Sequence, residues 1–189
     1  GSIIMDGAKD FNGFSSTLDD NLRIGYMKLD GTGAIAGRAG AYITTPVSLT
    51  IDEIETTNWT SHGFRTIGGT NLKIGKIISN SNTIDGVNLT TPNSIIEEIH
   101  TSGNTASGIT VTTGSNGTFI GKVFSSSNIA SNLTVNVPDI RIDDIIVKDC
   151  VGFYGFLGTG ATRFKNKFIE ASGNAQALRL APIIDASFG

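Results

Sequence analysis

The chain has 189 residues, 24 of them glycine and only 4 proline, with aromatic residues at 7% and a net charge of −3. That length suits one elongated domain, and the mild negative charge without a basic patch argues against nucleic acid as a partner. The single cysteine, Cys150, excludes an intrachain disulfide, and no apolar run reaches the ~18 residues that a membrane-inserted helix needs.

Gly1-Ser2 reads as a cloning remnant, and the chain as a fragment of a longer protein. Residues 3–21 fit no repeat and are expected to form an incomplete coil or cap. Residues 22–47 carry a Gly/Ala-rich insertion, but no Lys-Ser/Thr follows its glycines, so it is not a phosphate loop. From here one pattern recurs: two apolar anchors three residues apart, then two more beyond a turn. It begins with Ile24 and Met27, and continues as Ile51, Ile54, Phe64, Thr66. Full copies follow at Ile74, Ile77, Val87, Leu89, at Ile96, Ile99, Ile109, Val111, and at Ile120, Val123, Leu133, Val135. Ile142, Ile145 and Phe156 make the next, and Phe168, Leu178 and Leu180 the last. With Phe168 as the final second anchor, the steps between copies are 27, 23, 22, 24, 22 and 23 residues.

A repeat of this length is settled before any other reading. Its residues alternate inward and outward and are rich in Ile, Val, Thr, Ser and Asn, which suits strands and turns rather than helices. Three short strands per unit cannot bury their inward faces alone, and stacking the units closes a continuous core. The expected fold is all-β: a parallel β-helix over residues 22–180, about seven coils of 22–27 residues. At the strand spacing, the stack is a rod roughly 34 Å long. Residues 181–189 are expected to form a terminal tail, with Ala181, Pro182, Ile183 and Ile184 covering the open end of the stack.

Several columns align along such a stack. Asn82, Asn104 and Asn128 share one place in the long turn, where amides can bond up a ladder; Cys150 falls in the same column and reads as a small buried residue. Gly63, Gly86, Gly108 and Asn132 precede the last strand of their coils and are read as positions of positive φ. At the bend, Glu53, Lys76, Glu98, Lys122, Asp144 and Lys167 alternate in sign. The outward position after each second anchor reads Glu55, Ile78, His100, Phe124, Ile146, Ile169. Such an exposed apolar stripe calls for a cover, either a neighbouring loop or a second copy of the rod. Ile78, His100, Phe124, Ile146 and Ile169 are the expected subunit interface.

Glycan cleavage needs two carboxylates on one face. Asp52, Glu97 and Asp143 share one bend position two coils apart, and so are candidate catalytic residues or else members of the charged bend. Trp59, the only tryptophan, could stack on a sugar together with His62, or could fill the turn where later coils place the ladder asparagine. Phe153 and Tyr154 are further candidates for carbohydrate contact. With only two histidines, no site of three histidine ligands exists within one chain. No metal site or cofactor is expected.

Coils of 22–24 residues with three strands, an Asn ladder and a glycine-marked turn resemble the right-handed parallel β-helix of the pectate-lyase-like superfamily, and within it the tailspikes and tail fibres of bacteriophages. The resemblance implies a homotrimeric virion protein that works outside the cell and binds a bacterial surface polysaccharide in host recognition. The alternatives are an active depolymerase, hydrolase or lyase, and a secreted adhesin or plain structural shaft.

Overall fold

A computed structural model of the chain describes residues 12–17, 22–160, 163–181 and 185–188. Among them every regular element is a strand. In chain order these are β1 (Phe14–Thr17), β2 (Arg23–Asp30), β3 (Ala41–Thr44), β4 (Thr50–Thr57), β5 (Phe64–Ile67), β6 (Lys73–Asn80), β7 (Val87–Leu89), β8 (Ile95–Ser102) and β9 (Ile109–Val111). They continue with β10 (Thr118–Ser126), β11 (Leu133–Val135), β12 (Asp139–Lys148), β13 (Tyr154–Thr159), β14 (Arg163–Asn166), β15 (Phe168–Ser172), β16 (Gln176–Ala181) and β17 (Asp185–Phe188). Each coil contributes one long and one short strand to two parallel sheets. The short strands stack as β1-β3-β5-β7-β9-β11-β13-β16, and the long strands run from β2 through β4, β6, β8, β10 and β12 to β14 and β17, with β15 also on β12. The chain is therefore a parallel β-solenoid of about seven turns.

The repeat places the core. Ile51, Ile74, Ile96, Ile120 and Ile142 lie in one ladder column, and Ile54, Ile77, Ile99, Val123 and Ile145 in the next. All are fully buried, as are Phe64, Val87, Ile109, Leu133 and Phe156 across the core. Each such side chain contributes about 1.5–3 kcal/mol over an exposed one, and stacking repeats this gain at every coil.

The expected bend between the first two strands is a kink within one strand. Ile51 pairs with Ile74 and Glu53 with Lys76, while Asp52 and Gly75 between them leave the ladder. The same residue drops out of every coil, giving the column Gly25, Asp52, Gly75, Glu97, Gly121, Asp143. A Cβ on Gly75 would overlap the Asp52 carbonyl oxygen, and one on Gly121 would sit 2.6 Å from that of Glu97. Adjacent coils approach too closely here for a side chain after Asp52 or Glu97, and a glycine follows each of them.

The last coil departs from the expected register. Ile169, not Phe168, pairs with Ile145, so the final step is 24 residues, and Phe168 stands beside Asp144. Ile169 thus leaves the outer stripe and packs against the core, and Glu170 takes its place beside Ile146. Lys167 leaves the alternating charge column. The slip comes from Asn166, whose buried amide donates to the Ile142, Asp143 and Phe168 carbonyls and closes the extra residue into the kink. Within the charge column the register holds from Glu53 to Asp144, yet none of its members forms an ion pair with another among the described residues. Of the expected cap, Pro182, Ile183 and Ile184 lie outside the described residues, as do residues 3–11 and 18–21 of the N-terminal segment.

The asparagine ladder is continuous. Asn82 Nδ2 donates to Asn104 Oδ1 at 3.0 Å, and Asn104 Nδ2 to Asn128 Oδ1 at 2.9 Å. Each acceptor also takes the backbone N–H of the preceding coil's ladder residue, and Asn82 Oδ1 takes that of Trp59. Beneath the ladder, Thr56 bonds to Ser79 and Thr101 to Ser125 through their hydroxyls. Where Cys150 breaks the column, Asn132 bridges, accepting from Asn128 and donating to Asn174.

Positive φ does not fall on Gly63, Gly86, Gly108 or Asn132. It falls one residue before each ladder position, on Asn58, Ser81, Gly103, Ser127, Asp149 and Gly173. The glycine column answers to space instead. A Cβ at Gly86 would lie 2.7 Å from Asn104 Nδ2, and one at Gly108 2.6 Å from Asn128 Nδ2. Asn132 is tolerated because the coil above it carries Cys150.

Candidate functional site

The kink column opens a groove of roughly 630 Å³ along the rod. It brings together all three expected carboxylates, Asp52, Glu97 and Asp143, with Lys76, Lys122 and Lys167 on its walls. The acids stand two coils apart, about 9.6 Å by strand spacing, at the upper limit of the separation that inverting glycosidases use.

Their surroundings differ. Asp52 receives Arg23 Nη2 on both oxygens, at 3.1 and 3.2 Å. Asp143 accepts from Arg141 Nε at 2.7 Å and from Lys167 Nζ at 2.8 Å. The Arg141 guanidinium itself lies over the Phe119 ring, 5.2 Å from its centre. Hydrogen bonding from Arg141, helped by Lys167, holds the Asp143 carboxyl below its usual value of 3.8. Glu97 is exposed and carries no ion pair or hydrogen bond among the described residues. The Gly–acid alternation and the arginines that clamp its end members were missed by sequence reading, although the alternation is written in the chain at the skipped position of each coil.

The sign of the pH dependence follows from Asp143. Its stabilisation is complete above the unfolded carboxyl's pKa and is lost as pH falls through the depressed folded value. Melting temperature should therefore drop as pH is lowered from about 4, and Asp143→Asn should flatten that acid limb; an unchanged slope would refute the assignment.

The outer stripe forms a second, smaller groove over Ile78, His100, Phe124 and Ile146, all half-buried. The His100 ring stacks on Phe124 with centres 4.7 Å apart, and its Nε2 lies 2.9 Å from Glu98 Oε1, off the angle of a good hydrogen bond. Ion pairs close the stripe at both ends, Lys28–Glu55 at 2.6 Å and Lys148–Glu170 at 2.8 Å.

The expected aromatic platform does not form. Trp59 is fully buried, its indole N–H donating to the Leu29 carbonyl at 3.2 Å, and it heads the asparagine ladder. Gly13, Gly31 and Gly40 make room for its ring, since a Cβ on any of them would come within 2.6–2.9 Å of it. His62 is buried too, with Nδ1 3.5 Å from Asp85 Oδ2, and burial pushes its pKa down. Trp59 fluorescence should accordingly be blue-shifted, resist acrylamide quenching, and stay unchanged when oligosaccharide is added. A ligand-induced shift would contradict this.

Phe153 is 59% exposed, and Tyr154 accepts a hydrogen bond from Arg179 at 3.0 Å. Near Phe153 the turn also exposes Ile129 and Val151, whose backbones are held by the Asn104 and Asn128 carbonyls. These two were not singled out by sequence reading, and their signal was their shared place three residues past the ends of β10 and β12.

Among the described residues no three His, Cys, Asp or Glu side chains converge to hold a metal ion, and no helix is long and apolar enough to cross a membrane. No family model matches the chain, and neither a curated protein nor a solved structure matches it.

Proposed function

We propose that the chain is a β-helix of the pectate-lyase-like kind, and that it serves as a tailspike-type virion domain binding bacterial surface polysaccharide as a homotrimer. The observation that carries this reading is the open groove over Asp52, Glu97 and Asp143, which runs along the axis and offers a row of polar groups to a linear ligand. The stripe of Ile78, His100, Phe124 and Ile146 supports self-association, since a rod of the same rise keeps register along its length.

Binding is favoured over cleavage. A glycosidase needs one carboxyl held protonated at neutral pH. Asp143 is instead held ionised by Arg141 and Lys167, so it is not that acid. The depolymerase reading draws on the carboxylates' shared groove alone.

Light scattering on a sizing column and calorimetric titration with purified bacterial surface polysaccharides test the proposal. A mass of three chains together with saturable binding is expected. A monomer would remove the trimer, affinity for no glycan would leave a structural shaft, and release of new reducing ends would restore the depolymerase.

A further inference from the structure

The solenoid carries two apolar surfaces, and both occupy the same four coils. The first is the outer stripe, with Ile78, His100, Phe124 and Ile146 contributed in turn by β6, β8, β10 and β12. Charged residues end it on either side, Glu55 on β4 and Glu170 on β15. The second lies in the turns that follow the same four strands. Ile84 follows β6, Ala106 follows β8, Ile129 follows β10, and Val151 and Phe153 follow β12. Backbone bonds tie these turns into one column. The Ala106 N–H donates to the Ile84 carbonyl at 3.1 Å, Ala130 to that of Ala106 and Phe153 to that of Ala130, both at 2.9 Å.

The turn column is the more exposed of the two, with Ile129 at 50% and Val151 at 68%. It also stops at both ends. The turn after β4 offers Thr60 and Ser61, with Trp59 buried, and the turn after β15 offers Asn174, which is held in the ladder. Ile35 is exposed lower down, in the Gly/Ala-rich insertion, with the Thr60 hydroxyl bonded to its carbonyl.

Contiguous apolar surface of this kind calls for a cover. A copy packed stripe to stripe, in either direction, buries the first surface and leaves the second in water. A copy set at the same height, with its turns on this chain's stripe, joins the two surfaces and leaves one of each free for the next copy. Both are four coils tall, about 19 Å at the strand spacing, so they meet without stagger. Contacts between unlike surfaces close into rings when the rotation allows. The rotation is present here, because one surface is the face of the long sheet and the other its edge. In a closed ring every chain buries both surfaces, twice the number of contacts that stripe-to-stripe packing provides.

Resting on the self-association proposed above, we propose that the trimer is a parallel ring of unlike contacts, in which the turns carrying Ile84, Ile129, Val151 and Phe153 cover the outer stripe of the next chain. Coil by coil, Ile84 meets Ile78, Ile129 meets Phe124 and Val151 meets Ile146. Phe153 is then a contact between chains and not a surface for sugar.

Val151→Asp and Ile146→Lys test this by light scattering on a sizing column, with circular dichroism to check the fold. Both side chains face outward, so each variant should keep the wild-type spectrum. At a concentration where the wild type has the mass of three chains, each single variant should have the mass of one. The double variant sets an aspartate against a lysine across the contact and should regain three. A mass of three in Val151→Asp overturns the unlike contact, and loss in Ile146→Lys alone assigns the stripe to itself; self-association stands in both cases. A double variant that stays monomeric also overturns the pairing. Should Ile146→Lys lose the fold, Val151→Asp decides alone, since its side chain lies mostly in water. A monomeric wild type removes self-association and this ring together.

Discussion

Gly63→Ala should destabilise the protein by at least about 3 kcal/mol, the upper range for overpacking a filled core, while Gly25→Ala should change stability by no more than about 0.5 kcal/mol. Neither glycine has a positive φ, so backbone freedom does not separate them. Space does. A Cβ on Gly63 would overlap Ser79 Oγ and lie 2.5 Å from both Asn82 Nδ2 and Thr56 Oγ1, whereas one on Gly25 meets nothing within 4 Å. The atoms in the way cannot retreat, because Thr56 and Ser79 are hydrogen-bonded to each other at 2.8 Å and Asn82 is held in the ladder. Urea denaturation followed by circular dichroism measures both variants. Similar midpoints would show that the column is a propensity effect and not a packing one.

Asn104→Ala should cost about 3–5 kcal/mol, since it strands several buried polar groups at once. Asn104 Oδ1 accepts from both the backbone N–H and the amide of Asn82, at 2.9 and 3.0 Å. Its own amide donates to Asn128 Oδ1 and to the Ser79 carbonyl at 3.1 Å. The site has no exposed surface, so bulk water does not reach the stranded groups. Asn88→Ala, which removes one half-buried bond to Asp85, should cost about 1 kcal/mol by comparison. Amide hydrogen exchange gives an independent readout: the backbone N–H of Asn82 should lose protection in Asn104→Ala and keep it in Asn88→Ala. A cost near that of Asn88→Ala would mean the ladder is not what holds the turn.

Both predictions rest on one buried network, and its parts were legible to different degrees. That Asn82, Asn104 and Asn128 line up was plain from the period, because an apolar residue must face inward at each anchor and this fixes the count between them. That the preceding glycines serve the ladder was not. A glycine looks the same in sequence whether it permits a positive φ or vacates space, and only the next coil's side chain tells which. The residues that do turn the chain, such as Ser81, Ser127 and Asp149, carry no glycine to announce it. Trp59 was ambiguous for a similar reason: its burial depends on Gly13, Gly31 and Gly40, three glycines brought around it by stacking.

In the candidate groove, sequence reading found Asp52, Glu97 and Asp143 and their two-coil spacing. It did not find that Asp52 and Asp143 are clamped and Glu97 is free, because the clamps Arg23 and Lys167 reach across coils. In the last coil, Phe168 and Ile169 are both apolar and either could be the anchor; the three hydrogen bonds of Asn166 decide for Ile169.

By itself the sequence determined the all-β class, the coil period, the inward anchors and the columns, since each follows from burial repeated at a fixed interval along one chain. The tertiary structure decided which columns bear positive φ, which glycines are steric, which carboxylates are paired and where the last coil slips. Those depend on distances between atoms one coil apart, and neighbouring coils are separated by more than twenty residues that a linear pattern passes over.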